Sequence, residues 1–219
     1  MAEKLIREIL ERRGGRPCLT CSLQAEDMVV LDILRRFLPD IPVLFLDTGY
    51  HFPETYEYRD RMARQWGLNL INLKPPKTVA EQESVFGKLF GTQPDQCCRM
   101  RKVEPLLGAL EDYEVWFTGL RREQSPTRAN LAEVETHKLP SGKELLKVSP
   151  LAFWKWNEVW SYLQVNEIDY LPLYDRGYTS IGCEPCTALP LDGDPRSGRW
   201  GGKKLECGIH TFDSAKEHV

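Results

Sequence analysis

The 219-residue sequence has no long hydrophobic run. Nothing approaches the roughly 18 consecutive apolar residues that a membrane-spanning helix needs, so no membrane association is expected. No apolar segment closed by small residues opens the chain. Met1 to Leu10 reads as an amphipathic helix with interspersed charge rather than a signal peptide, and a cytoplasmic location is expected. Positive charge is not in excess: 29 Lys and Arg stand against 32 Asp and Glu, for a net charge of −3. That argues against general nucleic-acid binding, whose affinity comes from many phosphate contacts, but leaves room for a small anion held by a local basic cluster. Internal repeats and low-complexity tracts are lacking. With 42% hydrophobic and 28% charged residues, extensive disorder is excluded. The length suits one domain with a core of its own, plus a short appendage.

What is present is an alternation of apolar runs and helical patterns. Arg16 to Ser22 reads as a first strand, followed by a helix over 23–38 with Val30, Leu31, Leu34 and Leu38 at helical spacing. Ile41 to Leu46 is a continuous apolar run, read as a buried strand ending in the polar loop Asp47-Thr48-Gly49. Pro53 opens a helix that stops at Gly67. Strands follow over 68–73 and 115–118, the latter ending in Gly119. This predicts right-handed βαβ units and a parallel sheet flanked by helices. In such sheets ligands bind beyond the carboxyl ends of the strands, where Ser22, Asp47 to Gly49 and Gly119 fall. A hairpin turning at Pro140-Ser-Gly142 is expected over 133–151. A helix with Trp156, Val159, Trp160 and Leu163 on one core-facing stripe comes next. From Leu171 onward the pattern becomes loop-rich.

Seven cysteines in an expected reducing compartment point to metal binding or thiol chemistry rather than structural disulfides. Cys97-Cys98 and Cys183-x-x-Cys186 could close around one metal centre. Adjacent side chains on a helix diverge by about 100°, which suits a bulky cluster, yet the spacing leaves zinc and iron–sulfur both open. Arg99, Arg101 and Lys102 beside the pair would balance a negative centre. Cys18 and Cys21 read as small buried hydrophobes of the first strand. Cys207 lies near the C-terminus between flexible glycines, with Lys203, Lys204 and His210 as possible sources of the positive charge a reactive thiolate needs. Ser22 to Asp27 is a candidate phosphate loop, with Glu26 and Asp27 as first-turn acids. It is not a Walker A sequence. The loops Thr118 to Arg128 and Asp194 to Trp200 carry arginines suited to phosphate or sulfate.

Together, Cys97-Cys-Arg-Met-Arg-Lys-Val-Glu-Pro105, Cys183-Glu-Pro-Cys186, Glu206-Cys-Gly-Ile-His210, Ser22 to Asp27, Leu46-Asp-Thr-Gly49 and Thr118 to Arg128 resemble the assimilatory sulfonucleotide reductase family. Within it they are similar to the iron–sulfur type that acts on adenosine 5′-phosphosulfate with thioredoxin. The resemblance runs from about Cys18 to Thr211. It implies an α/β, adenine-nucleotide α-hydrolase-like fold over residues 1–200, and a mobile, loop-rich C-terminal tail over 201–219 that carries the catalytic cysteine. It implies one [4Fe–4S] cluster on Cys97, Cys98, Cys183 and Cys186. Cys207 would be the nucleophile, Lys102 would lie between cluster and substrate, and Arg128, Arg196, Arg199 and His210 would approach the phosphosulfate. Ser22, Gly119 and the loop Leu46, Asp47 and Thr48 would line the nucleotide pocket. A thioredoxin or similar dithiol donor and a homo-oligomeric assembly are implied as well. Family members that prefer the 3′-phosphorylated substrate typically lack the four cysteines, so the 5′-phosphosulfate is expected here, with dual specificity open. Two departures stand out: Gln24 where relatives often carry Gly, and Gly201-Gly202 after Trp200 where relatives often carry aromatics.

The same residues fit two rival readings less well. An ATP-pyrophosphatase-type sulfurtransferase would use a Ser-Gly-Gly-x-Asp-Ser loop, which Ser22 to Asp27 does not supply. A metal-stabilised binding module would leave Cys207 idle, and would not account for both arginine loops.

Overall fold

The computed structural model describes residues 1–12, 14–191, 194–202, 204 and 206–210. Most of the expected tail after residue 210, together with Lys203, lies outside the described residues. Helices α1 (Ala2–Arg12), α2 (Ala25–Phe37) and α3 (Pro53–Trp66) alternate with strands β1 (Pro17–Thr20), β2 (Val43–Leu46) and β3 (Leu70–Leu73). Helix α3 starts on proline and ends at Gly67, whose φ of 60° supplies the left-handed cap the pattern anticipated. Short helices α4 (Val79–Phe86), α5 (Leu89–Thr92) and α6 (Pro94–Cys98) lead into a π-helical turn, Arg99–Val103, and then α7 (Glu104–Leu110). Strand β4 (Val115–Phe117), the hairpin β5 (Val134–Lys138) and β6 (Glu144–Val148), and helix α8 (Trp156–Val165) follow.

Six strands form one sheet in the order β3-β2-β1-β4-β6-β5. All neighbours are parallel except β5 and β6. The expectation of a parallel sheet therefore holds for five strands, and the sixth runs the other way. The few residues between Lys138 and Glu144 can only fold back on themselves, whereas a parallel partner needs a long crossover.

Alternate side chains of the central strands feed two cores. Leu19, Val43, Phe45, Val115 and Phe117 pack against Ile6 of α1, Met28 and Leu31 of α2, Met62 of α3 and Val159 and Leu163 of α8. On the opposite face, Cys18, Leu44 and Trp116 meet Leu106 and Leu110 of α7. Cys18 and Cys21 thus belong to opposite faces of the sheet. Both are buried, and burial pushes both thiols up, as small core hydrophobes would be. Among the described residues no helix is long and apolar enough to cross a membrane.

The chain builds outward from β1 through β2 to β3, then returns to the other side of β1 to make β4. The order reverses between β1 and β4. Helical crossovers on either side of such a point diverge and leave a crevice at the carboxyl ends of the two strands.

Candidate functional site

A cavity of about 530 Å³ occupies that crevice, within the range that holds a nucleotide-sized ligand. Ser22 follows β1 on its wall and Gly119 follows β4. Gly119 is required by space: a Cβ there would collide with Oδ1 and the backbone nitrogen of Asp27. Asp27 closes the loop after β1 by accepting the Ser22 N–H and hydroxyl, both at 2.6 Å. Burial raises its carboxyl to about 6, against the pull of the Ser22 bonds. The first-turn acids therefore do more than answer the helix dipole. Gln24, the departure from the family pattern, has ordinary extended geometry, and Leu23 carries the positive φ of 64°. The Gln24 side chain ties the loop to Ser22 Oγ (3.0 Å) and to the Ile181 N–H (2.8 Å).

Leu46 also lines the cavity, but Asp47 and Thr48 do not. Asp47 is turned away to accept from Tyr56 Oη at 2.8 Å. Thr48 is fully buried, with Oγ1 3.3 Å from Cys183 Sγ. Of this loop Leu46 is on the cavity wall, while the side chains of Asp47 and Thr48 hold the surrounding structure together. His51, from the same loop, does reach the wall. Burial lowers its pKa to about 4, so the neutral ring is bonded to the Leu46 carbonyl at 2.8 Å.

Arg128, Arg196, Arg199 and Lys102 face the same cavity. Arg199 is 5% exposed and stacks on Trp200 at 4.5 Å. Its passage is allowed by Gly182, where a Cβ would strike the guanidinium. Arg196 Nη1 donates to Ser180 Oγ at 3.3 Å. Lys102 is buried, which by itself would lower its pKa, but its coupling to the neighbouring groups of Cys183, Cys207 and Cys98 outweighs this and raises it. Arg99, by contrast, is a surface residue paired with Glu104. Arg101 is buried as a brace, donating from Nε to the Thr48 carbonyl (2.5 Å) and from Nη1 to Gln82 Oε1 (3.0 Å).

Cys97 and Cys98 end α6 where it passes into the π-helical turn. Cys183 and Cys186 flank a tight turn in which the Cys186 N–H donates to the Cys183 carbonyl. All four thiols are buried and line a second, smaller cavity with Tyr50, Phe90 and Arg101. Lys102 and Trp200 line both cavities and separate them. Burial raises the pKa of Cys97, Cys98 and Cys186, the last to about 11, and the neighbouring thiols add to it. Thiols crowded into one buried space behave in this way, and a metal centre would reverse it. Among the described residues no three Cys, His, Asp or Glu side chains converge as ligands of a single ion. The four buried thiols line one space and present only sulfur donors to it, as a metal centre requires. The donor set fits an iron–sulfur cluster.

Cys207 is half-buried and packs beside Cys98, Cys183, Cys186 and Trp200 while also lining the larger cavity. Its neighbour Glu206 is clasped by Arg128. His210 stacks on Trp116 with centroids 5.4 Å apart and planes 18° apart. Burial, with Lys147 and Arg128 nearby, drives its pKa well below the ordinary value. The ring is neutral, so it does not supply the positive charge expected of it. Lys204 is engaged with Asp95 at 2.7 Å. The cavity wall with Cys207 also carries Lys102, Arg128, Arg196 and Arg199, and Arg121, which is paired with Glu26.

Sequence reasoning missed Glu206, Trp116 and the buried pair of Glu26 with Arg121. Trp116 stands between Val115 and Phe117 in a short apolar strand and carried no signal of its own. Glu206 was legible only as part of the Glu206 to His210 motif, because Arg128 and Thr127, which bond its carboxylate, lie 78 and 79 residues away.

The chain matches the family model described as the phosphoadenosine phosphosulfate reductase domain over residues 16–189. It is 43% identical over 213 residues to the adenosine 5′-phosphosulfate reductase of Mycolicibacterium smegmatis, covering 96% of this chain and 88% of that protein. It is 44% identical over 203 residues to adenosine 5′-phosphosulfate reductase 1 of Bacillus subtilis, covering 90% and 85%. Among solved structures, it is similar to the phosphate complex of phosphoadenylyl-sulfate reductase from Candida auris. The TM-score is 0.74 at 25% identity, covering 85% of this chain and 90% of that one.

Proposed function

The chain belongs to the phosphoadenosine phosphosulfate reductase domain family, and on that premise we propose that it reduces adenosine 5′-phosphosulfate to sulfite and AMP in assimilatory sulfate reduction. The observation that carries this is one wall: Cys207 shares it with Lys102, Arg128, Arg196 and Arg199 in a nucleotide-sized crevice. The names and extents of the two bacterial relatives support the substrate.

Cys207 acts as the thiolate. It attacks the sulfur of the bound nucleotide. A sulfur–sulfur bond forms as the bond from sulfur to the phosphate oxygen breaks, and AMP leaves with that electron pair. The enzyme then holds an S-sulfocysteine. A dithiol donor of the thioredoxin class attacks Cys207 Sγ, and sulfite departs with the electrons of the S–S bond. The donor's second thiol resolves the mixed disulfide. Both electrons come from the dithiol, and the substrate sulfur falls from the +6 to the +4 state.

Lys102, Arg196 and Arg199 supply fixed positive charge where the attacking thiolate, the sulfonyl oxygens and the leaving phosphate meet. Lys102 and Arg199 are buried, which strengthens their effect. The neutral His210 contributes position through its stack on Trp116. Cys97, Cys98, Cys183 and Cys186 would hold one [4Fe–4S] cluster. When bound, it supplies a fixed charge and a covalent tie between α6 and the 183–186 turn, on the far side of Lys102 from the nucleotide cavity.

The test is incubation of the holoprotein with adenosine 5′-phosphosulfate and no reductant. Cys207 is expected to gain the mass of one SO₃ group and to lose it as sulfite when reduced thioredoxin is added. A protein that hydrolyses ATP and never becomes sulfonated at Cys207 would overturn the reading. Parallel kinetics with the 3′-phosphorylated substrate measure its selectivity.

A further inference from the structure

The segment that carries Cys207 is held to the protein body at Glu206. Its carboxylate takes the side-on fork of Arg128: Nε donates to Oε1 at 2.9 Å and Nη2 to Oε2 at 2.7 Å. Thr127 Oγ1 donates to Oε1 at 2.9 Å, and Arg196 Nη2 lies 3.9 Å from Oε2. The Arg128 and Glu206 side chains are each only 12% exposed. Arg128 and Arg196 hold their positive charge in place against Glu206, and despite burial the carboxyl stays below its ordinary pKa.

Two coplanar oxygens on a guanidinium fork, with a hydroxyl and a second arginine beside them, reproduce the way a protein grips a phosphate or sulfate group. The same two arginines face the large cavity. The third nitrogen of Arg128, Nη1, is already engaged with Gln124 Oε1. The fork that Glu206 fills can hold one anion at a time.

The chain is also fixed on both sides of Glu206. Lys204 Nζ bonds to Asp95 at 2.7 Å. At the other end, His210 is stacked on Trp116, and Lys147 Nζ donates to its carbonyl at 3.4 Å. The Glu206 contact can therefore open while its flanks stay in place.

We propose that Glu206 is a positioning residue that imitates the anionic end of the nucleotide. It occupies Arg128 and Arg196 when the cavity is empty, seats Cys207 against the wall, and gives up the arginines to the incoming phosphosulfate. The proposal rests on the cavity being a sulfonucleotide site. Exchange of one anion for another leaves the Arg128 fork filled before and after the nucleotide enters. Cys207, the next residue, stays tethered within reach of the sulfur by the contacts of Lys204 and His210. Removing the carboxylate opens the Arg128 fork, and an entering anion has nothing to displace from it.

ADP is the probe, because it has the shape of the substrate with a phosphoryl group in place of the sulfonyl, so Cys207 has no sulfur to attack. Its affinity is measured by calorimetry on the full-length holoprotein as wild type, Glu206→Gln and Glu206→Asp. Glu206→Gln is expected to bind ADP roughly three- to tenfold more tightly, the weight of one partly buried ion pair. Glu206→Asp, which keeps the charge, stays near wild type. Without nucleotide, Cys207 of Glu206→Gln reacts several-fold faster with iodoacetamide than in wild type. In turnover, KM and kcat both fall in this variant, a combination that a merely destabilised tail would not produce. A wild type that binds ADP alongside a Glu206→Gln that binds it no better removes the competition alone. Failure of the wild type to bind ADP removes the sulfonucleotide reading and the competition with it.

Discussion

Arg121 donates Nε (3.0 Å) and Nη2 (2.7 Å) to a single oxygen, Oε1, of Glu26, and both side chains are buried. Gln124 Nε2 reaches the same oxygen at 3.0 Å, and the guanidinium lies over the Trp156 ring. The pair links the start of α2 to the loop after β4, the two segments that frame the cavity. Removing one partner leaves a charge stranded where water cannot reach it. Arg121→Ala is expected to cost about 3–5 kcal/mol, read from the shift of the urea midpoint at unchanged slope.

Gly119→Ala places a methyl group against Asp27. The loop after β4 must then move, and Ser22 loses its bond to the displaced carboxylate. We expect a stability loss of about 1–3 kcal/mol and weaker ADP binding, measured by denaturation and by calorimetry on the same preparation.

Asp27 sets a pH dependence whose sign is opposite to that of a salt-bridged carboxylate. Its pKa in the folded protein is about 6, above the 3.8 of the free side chain. Below the lower value both states are protonated and nothing is lost. As pH rises through the window to about 6, the unfolded chain ionises first and the fold loses stability. The full effect is at most about 3 kcal/mol, reduced by water in the cavity. Carboxyl NMR titration of the empty protein should find this group half-protonated near the upper end of the window, and Asp27→Asn should flatten the stability profile there.

Replacing a cluster ligand separates the two kinds of cysteine. Cys97→Ser and Cys186→Ser are expected to lose iron and inorganic sulfide together with the brown colour, since every thiolate ties down part of the centre. Cys18→Ala, in the core between β1 and α7, keeps the colour and loses only packing. Iron and sulfide analysis of the purified variants reads this directly.

Much of the architecture could be read ahead because it rests on local chemistry. The apolar runs at 17–20, 43–46 and 115–117 became central strands, and Pro53 and Gly67 bound α3 where such residues stop and start helices. The Trp156 stripe buries Val159 and Leu163 as its spacing required. The direction of β5 and β6 within the sheet was less legible, because pairing is decided between distant segments. The site divided along the same line. Residues beside a strand end, such as Ser22 and Gly119, fell where the fold class puts ligands. Asp47 and Thr48 share that address, yet their side chains answer to Tyr56 and Cys183, partners that no short-range pattern announces. The neutral state of His210 likewise follows from Lys147, Arg128 and burial, which come together only in three dimensions.

The turn at Arg99–Val103 is wound one residue wider than its neighbours. A wider coil bonds each N–H five positions back rather than four, which stores one surplus residue between the cysteine pair and the rest of the helix. Deleting a single residue from this stretch would let it relax into a regular helix. Lys102 would then lose its place on the partition it shares with Trp200. The distance from the cysteine pair to the lysine is thus set by a length of backbone, not by the identity of any one side chain.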